Sequence, residues 1–408
     1  MSDLTPVPVA VLGAGGYAGH HIEFITHLAT ENRAFLSAVV IRDPDRPGYR
    51  EIETRCARAG AVIYRSMEDL LHKEAGRTQL VVIPSPIHLH AGQSQAALKA
   101  GYHVLCEKPA AGTVEETSSM MSTSRDTGLL LAVGYHQIFS TGVQEMKKVA
   151  VSGRMGKLLK AKTIALLPRP ESYYKRNSWA GRLSVEGTNI YDSPLQNATS
   201  HQLNNMLYIA GASHHESAGV AEVYGENYRL KPIESADTQY IRIRTNDGAV
   251  LHQWASHACE VREYPLQEFF FENGKMELIH SNPAIIRFYE NKNGFPVICR
   301  EMEDDSDSNR HLVYHNIFDA MSGKAVVLSS IFNSWQETLC VQMCFQSSSG
   351  VVQLDSSQGD IIQASGDRNM VIRDIVPLLK KLYKQEIGFY DASVPWARKS
   401  RELKRTEP

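Results

Sequence analysis

The stretch Val7-Pro8-Val9-Ala10-Val11-Leu12-Gly13-Ala14-Gly15-Gly16-Tyr17-Ala18-Gly19 decides the fold of this chain. An apolar run without alternation reads as a strand buried on both faces, and here it opens through glycines onto a helical pattern. A strand, a glycine turn and a helix start in that order bring backbone N–H groups to a helix N-terminus. A diphosphate is favoured there by close approach and by the helix dipole. Gly13, Gly15, Gly16, Tyr17 and Ala18 are therefore the candidate dinucleotide-binding residues.

Working outward, Leu36 to Ile41, Leu80 to Pro84, His103 to Cys106 and Leu129 to Gly134 repeat the strand pattern, with helical spacing between them. Strands alternating with helices imply right-handed crossovers and a doubly wound parallel sheet. At the end of the second strand, Asp43 suits the adenosine ribose of NAD, whereas Arg42 and Arg46 suit the 2′-phosphate of NADP, so the expected cofactor is NAD or NADP. Counting Val7 to Leu12 as the first strand, Ser85, Pro86 and His88 follow the third and Glu107 and Lys108 the fourth, at the sheet edge where ligands bind. His88 and His90 lack further ligands of metal-site type, so no metal is expected and His88 is read as flanking the cofactor.

After Gly134 the pattern changes. A helix (Thr141 to Ser152) and a strand (Leu158 to Leu167) precede a polar, aromatic loop from Pro168 to Asp192, of the kind that carries binding work. A helix is expected over Ser193 to Gly211, then strands at Val220 to Gly225, Thr238 to Arg244, Ala249 to Ser256, Glu268 to Glu272, Lys275 to Ile279 and Ile285 to Tyr289. Asn246-Asp247-Gly248 supplies a tight hairpin. Glu301 to Asn309 reads as a solvated acidic loop, and Ser329 to Ser347 and Asp367 to Lys384 as helices. The fold class is thus α/β: a Rossmann doubly wound sheet (1–134), an α+β domain with a large open, mostly antiparallel sheet (135–350), and a C-terminal extension whose helix packs back on the body (351–408).

Composition bounds the function. With 408 residues, 43% hydrophobic and 22% charged, the chain is globular, and a net charge of −2 leaves no basic stripe for nucleic acid. No run approaches the roughly 20 apolar residues of a membrane span. Val7 to Leu12 has no basic region before it, so it reads as a strand and not a secretion signal, and the expected location is cytoplasmic. Six cysteines without a CxxC suggest reduced thiols.

Pro84-Ser85-Pro86-Ile87-His88-Leu89-His90, followed by Ala97-Leu98-Lys99-Ala100-Gly101-Tyr102-His103-Val104-Leu105-Cys106-Glu107-Lys108-Pro109, resembles the glucose-fructose oxidoreductase and inositol 2-dehydrogenase superfamily (Gfo/Idh/MocA). Val133-Gly134-Tyr135, Gln144 to Lys148 and Gly153 to Lys157 extend the likeness, which spans roughly residues 5 to 350 and is closest in the first half. The resemblance implies an NAD(P)-dependent oxidoreductase moving hydride to or from a CH–OH/C=O carbon of a sugar, cyclic polyol or sugar derivative. It also implies a homodimer or homotetramer formed through the C-terminal sheet, with Lys108 reaching substrate.

A Lys just past a strand's carboxyl end can polarise a substrate oxygen. The family places an Asp and a His four residues apart on a helix; here the matching residues are Asn197 and His201, and the spacing puts them on one helical face. His201 is the candidate general base, while Asn197 cannot hold charge beside an imidazolium, a part that Asp192 could take over. Tyr173, Arg176, Trp179, Arg182, Asp192 and His257 are the expected sugar contacts. Two alternatives stand beside this reading. One is a glycoside hydrolase with transient redox and no net NAD turnover, and the other is a non-catalytic dinucleotide-binding sensor.

Overall fold

A computed structural model describes residues 5–292, 295–304, 308–364 and 366–405. The chain divides into two compact units. The first contains β1 (Val7–Leu12), β2 (Ala34–Val40), β3 (Val62–Tyr64), β4 (Leu80–Ile83), β5 (His103–Cys106) and β6 (Leu131–Val133), in the spatial order β3-β2-β1-β4-β5-β6. Every neighbouring pair is parallel. The central strands are sealed on both faces, with Val9, Ala10, Val11 and Leu80 to Ile83 all fully buried, which is why their sequences do not alternate. The strand order reverses beside β1, so the turns after β1 and β4 flank the crevice where such sheets bind ligands. Helix α1 (Tyr17–Thr30) buries Ala18, His21, Ile22, Ile25 and Leu28, one stripe at helical spacing.

Residues 313–332 also belong to this unit, although the sequence reading assigned them to the second domain. Their attachment is explicit. Val133 N–H donates to Ser329 O at 2.7 Å, the Ser329 hydroxyl donates to Val133 O at 2.6 Å, and Ile331 joins the core around Val104 and Val133. The apolar spacing of Val313, Tyr314, Ile317 and Phe318 marks one helical face without naming what it covers.

The second unit is built on a sheet of β7 (Leu158–Leu166), β10 (Val220–Arg229), β11 (Thr238–Thr245), β12 (Val250–Ser256), β13 (Glu263–Phe271), β14 (Gly274–Ile279), β15 (Ala284–Lys292), β16 (Phe295–Asp304), β17 (Val352–Gln353) and β20 (Leu403–Lys404). The order is β16-β15-β14-β13-β7-β12-β11-β10-β17, with β20 also on β10. Pairing is antiparallel except for β7 with β12 and β10 with β17. A small hairpin, β8 (Ser184–Val185) with β9 (Thr188–Asn189), lies in the long loop, and β18 (Gly359–Ala364) pairs with β19 (Asp367–Ile372) in the extension. The Asn246-Asp247-Gly248 turn forms as expected, with Gly248 at φ +87° and Thr245 N–H donating to Ala249 O.

Three expectations need correction. Glu301 to Asp304 ends strand β16 instead of opening a loop, and Asp305 and Asp307 lie outside the described residues. The helix expected over Asp367 to Lys384 begins only at Ile375, because Asp367 to Ile372 is β19. The helix expected over Ser193 to Gly211 is divided: Pro194–Ala198 is one π-helical turn and the α-helix runs Ser200–Ala210.

Both faces of the central strands are covered within this unit. Along β12, His252 and Trp254 face the extension, where Trp254 packs with Ile375, Leu379, Leu382 and Phe389. Gln253 faces the other way and donates to Thr199 Oγ1 at 2.7 Å.

The extension also buries Glu226, whose carboxylate accepts from Tyr228 Oη at 2.5 Å and Tyr390 N at 3.0 Å while Oε1 has no partner. Burial pushes its pKa up to about 7 from 4.5. The folded form therefore takes up a proton that the unfolded form lacks between those values. Any stability from that proton is present at low pH and lost as pH rises through 7. We expect Glu226→Gln to stabilise the protein above pH 7 by roughly 1–3 kcal/mol, a gain that fades below pH 5, as read by urea unfolding at both pH values. A pH-independent difference would contradict this.

Candidate functional site

In the first unit, the turn after β1 is shaped by glycine. Gly13 and Gly16 have φ of +121° and +57°, outside the comfortable range of other residues. Gly15 lies against the Tyr49 side chain, so a Cβ there would fall 1.9 Å from Tyr49 Oη. Gly16 occupies the N-cap of α1 and brings no side-chain oxygen to its N–H groups. Bare glycines below and uncapped helix amides above fit a dinucleotide diphosphate, which Gly13, Gly15, Gly16, Tyr17 and Ala18 would hold. Tyr49, under the Arg46 guanidinium at 5.3 Å, was missed by the sequence reading because no motif marks it. We expect Gly15→Ala to weaken NAD⁺ binding about tenfold by displacing Tyr49, as measured by titration calorimetry. Unchanged affinity would remove the turn from the site.

After β2, Arg42 and Asp43 are exposed, and Asp43 Oδ1 accepts from Asp45 N at 3.1 Å, a local turn that leaves the carboxylate at the surface. After β4, Ser85 Oγ donates to Gln93, Pro86 caps the helix Ile87–Lys99, and His88 lies in that helix's first turn. His90 is buried with Nδ1 2.8 Å from Pro109 O and Nε2 2.7 Å from Ser85 O, which ties this helix to the turn after β5. Burial holds its pKa below the ordinary histidine value against those two carbonyls. Lys108 is half-buried, and its N–H donates to Glu107 Oε2 at 3.0 Å.

In the second unit, Asn197 stands in the π-helical turn and His201 in the first turn of the α-helix beyond it. Thr199, at φ −121°, breaks the backbone between them, so the one-face argument for a continuous helix does not apply. The sheet fixes this break. Thr199 N–H and its hydroxyl both donate to Pro194 O, Gln253 holds Thr199, and Gln239 Oε1 accepts from Leu195 N at 3.0 Å. Asn197 Nδ2 donates to Asp192 Oδ1 at 2.8 Å, and Asp192 Oδ2 accepts from Gly181 N at 2.6 Å. The buried acid that the sequence lacked at position 197 is thus supplied one contact away. His201 stands edge-on to His136, ring centres 4.4 Å apart, a neighbour that sequence spacing could not reveal.

The long loop brings some expected sugar contacts together and separates others. The Arg176 guanidinium lies 3.5 Å over the Tyr173 ring and 5.2 Å from Trp179, with Arg169 also 4.5 Å over Tyr173. Arg182 instead pairs with Glu234 at 3.3 Å. It lines a cavity of about 670 Å³ with Tyr174, Asn177, Lys231, Glu234 and Met370, which does not reach Asn197 or His201. His257 is buried, with Nδ1 3.2 Å from Tyr174 Oη, and desolvation holds its pKa well below the ordinary value. Expected from sequence as a sugar contact, it lies buried against Tyr173 and Tyr174. No group of three metal-ligating side chains occurs among the described residues.

Residues 7–135 match the family model described as an oxidoreductase family with an NAD-binding Rossmann fold, GFO_IDH_MocA. Residues 7–135 belong to the Gfo/Idh/MocA oxidoreductase family. Curated relatives include D-glucoside 3-dehydrogenase of Escherichia coli (strain K12), 26% identical over 62% of this chain and 73% of that protein. Levoglucosan dehydrogenase of Pseudarthrobacter phenanthrenivorans is 29% identical over 41% of this chain and 42% of its own length. The alignment thus spans most of the first relative but less than half of the second. Among solved structures, levoglucosan dehydrogenase in complex with NADH and L-sorbose superposes with a TM-score of 0.71 at 18% identity, covering 84% of this chain and 97% of that one. The WlbA dehydrogenase from Bordetella pertussis with NADH and UDP-GlcNAcA gives 0.67 at 21%, covering 84% and 97%. These two likenesses show a shared fold. No helix among the described residues is long and apolar enough to cross a membrane.

Proposed function

We propose that this chain is an NAD(P)-dependent dehydrogenase or reductase acting on a CH–OH/C=O carbon of a sugar, cyclic polyol or sugar derivative. The observation that carries the reading is the intact Glu107-Lys108-Pro109 turn at the end of β5, in a unit whose glycine turn fits a diphosphate. The dehydrogenase names of the relatives support the reaction class. When bound, the nicotinamide supplies the hydride acceptor or donor. Lys108 polarises the reacting oxygen as an ammonium donor. His201 takes the hydroxyl proton on oxidation and returns it on reduction, and Asn197, held by Asp192, orients the sugar. Tyr173, Arg176 and Trp179 offer stacked, polar surface to a pyranose. Asp43 favours NAD over NADP. The open strands β13 to β16 suit a homodimer or homotetramer contact, and the reduced thiols suit the cytoplasm.

The test is to purify the protein, identify any retained dinucleotide, and follow nicotinamide absorbance with methyl glucosides, levoglucosan, 1,5-anhydro-D-fructose and inositols. Turnover of any one supports the proposal. Hydrolysis of a glucoside without net change in added NAD⁺ would favour the transient-redox hydrolase. Bound dinucleotide with no reaction in either direction would leave a sensor.

A further inference from the structure

We propose that His21, backed by Tyr314, is a positioning residue that fixes the main chain at Lys108 through the Glu107 carboxylate. The inference rests on the reading of Lys108 given above, but its geometry lies wholly within the first unit. His21 Nδ1 is 2.7 Å from Tyr314 Oη, and His21 Nε2 is 3.1 Å from Glu107 Oε1. The second oxygen, Glu107 Oε2, accepts the N–H of Lys108 at 3.0 Å. The four groups form one chain from the helix Leu312–Met321 through α1 to the turn after β5.

Each link is buried. His21 is 2% exposed, Tyr314 0% and Glu107 8%. Burial first, then the Glu107 and Tyr17 charges, holds the Tyr314 phenol well above the ordinary tyrosine value, so it remains a hydrogen-bond donor. Nδ1 of His21 then accepts from Tyr314, which leaves the ring proton on Nε2, aimed at Glu107. A ring that accepts at Nδ1 and donates from Nε2 satisfies phenol, imidazole and carboxylate together. The Tyr17 ring meets His21 edge-on at 5.3 Å and limits its rotation. On the far side Gly134 has no Cβ; one built there would fall 2.5 Å from Glu107 Oε1. The carboxylate is therefore enclosed on three sides.

A buried carboxylate is costly unless every oxygen is served, and an apolar residue at position 107 would fill the space without that cost. What the carboxylate adds is direction. It turns the Lys108 N–H inward, and the direction of the Lys108 side chain follows from the backbone so fixed. Misplacing a reacting group by about 1 Å costs on the order of 100-fold in rate, so a clamp on this backbone is a means of setting kcat.

The two ring nitrogens can be tested separately. In His21→Gln the amide nitrogen reaches the place of Nε2 and keeps the bond to Glu107; in His21→Asn the amide reaches only the place of Nδ1. We expect His21→Gln to keep kcat within about threefold and His21→Asn to lose about 10-fold to 100-fold, on whichever panel sugar turns over, with the Kd for NAD⁺ within about threefold in both. In a Lys108→Ala background, His21→Asn should cost nothing further. Equal losses in both variants, accompanied by weaker NAD⁺ binding, would reduce His21 to a packing residue, and so would no loss in either.

If Lys108→Ala alone keeps wild-type turnover, the reading of Lys108 fails. The clamp is then judged by the imidazole ¹⁵N spectrum of the NAD⁺-loaded protein. A His21 ring protonated at Nε2 and bare at Nδ1 upholds it, and the opposite tautomer overturns it.

Discussion

Lys108→Ala lowers kcat by about 10²- to 10³-fold on any sugar the wild type turns over, the loss expected when one preorganised donor to a developing oxyanion is removed. The Kd for NAD⁺ should stay within about threefold, because the diphosphate turn lies after β1 and Lys108 after β5. Lys108→Arg keeps the charge but not the compact ammonium, so it should recover little of the rate. Steady-state kinetics with separate cofactor titration decide the matter. A rise in KM at unchanged kcat would make Lys108 a plain binding group, and no change would end the mechanism proposed here.

His201→Ala should reduce kcat by roughly 10²- to 10⁴-fold, the range for loss of a positioned general base, and should flatten the limb of the pH–rate profile that reports that base. The neighbouring amide provides a second arm. Asn197 Nδ2 lies 2.8 Å from Asp192 Oδ1, so Asn197→Asp places two carboxylates in contact, and they can coexist only by sharing a proton. That proton is retained at low pH and lost at high pH, so the variant should be closer to wild type at pH 6 than at pH 8. Faster turnover at pH 8 in Asn197→Asp would mean that Asp192 is not the partner of this position. A His201→Ala enzyme with an unaltered pH profile would move the proton step to another group.

The first unit was legible because strands sealed on both faces carry continuous apolar runs. Val9 to Val11 and Leu80 to Ile83 could be read directly, whereas β3, only three residues long with exposed Val62, fell below any periodic signal. At the far edge of the second sheet, β16 was hidden by its own exposure. Cys299 to Glu301 and Glu303 face solvent, so its sequence resembles a charged loop. The break at Thr199 escaped notice because apolar spacing does not distinguish a π-helical turn from an α-helical one, and the glutamines that enforce it, Gln239 and Gln253, are distant in sequence.

Family motifs led to Lys108, Asn197 and His201, and the missing acid at position 197 pointed to Asp192, but the direct Asn197–Asp192 bond and His136 beside His201 were not legible. Long-range polar pairs leave no periodic trace. His21 and Tyr314, 293 residues apart, are the extreme case.

The capture of residues 313–332 by the first unit has a consequence for biosynthesis. During translation, residues 7–135 emerge with all six parallel strands but without Ser329 to pair with Val133, Ile331 to fill the core, or Tyr314 to engage His21. That early intermediate must wait for nearly 200 further residues to be translated before its packing closes. During that interval the apolar surface that residues 313–332 cover is open to aggregation.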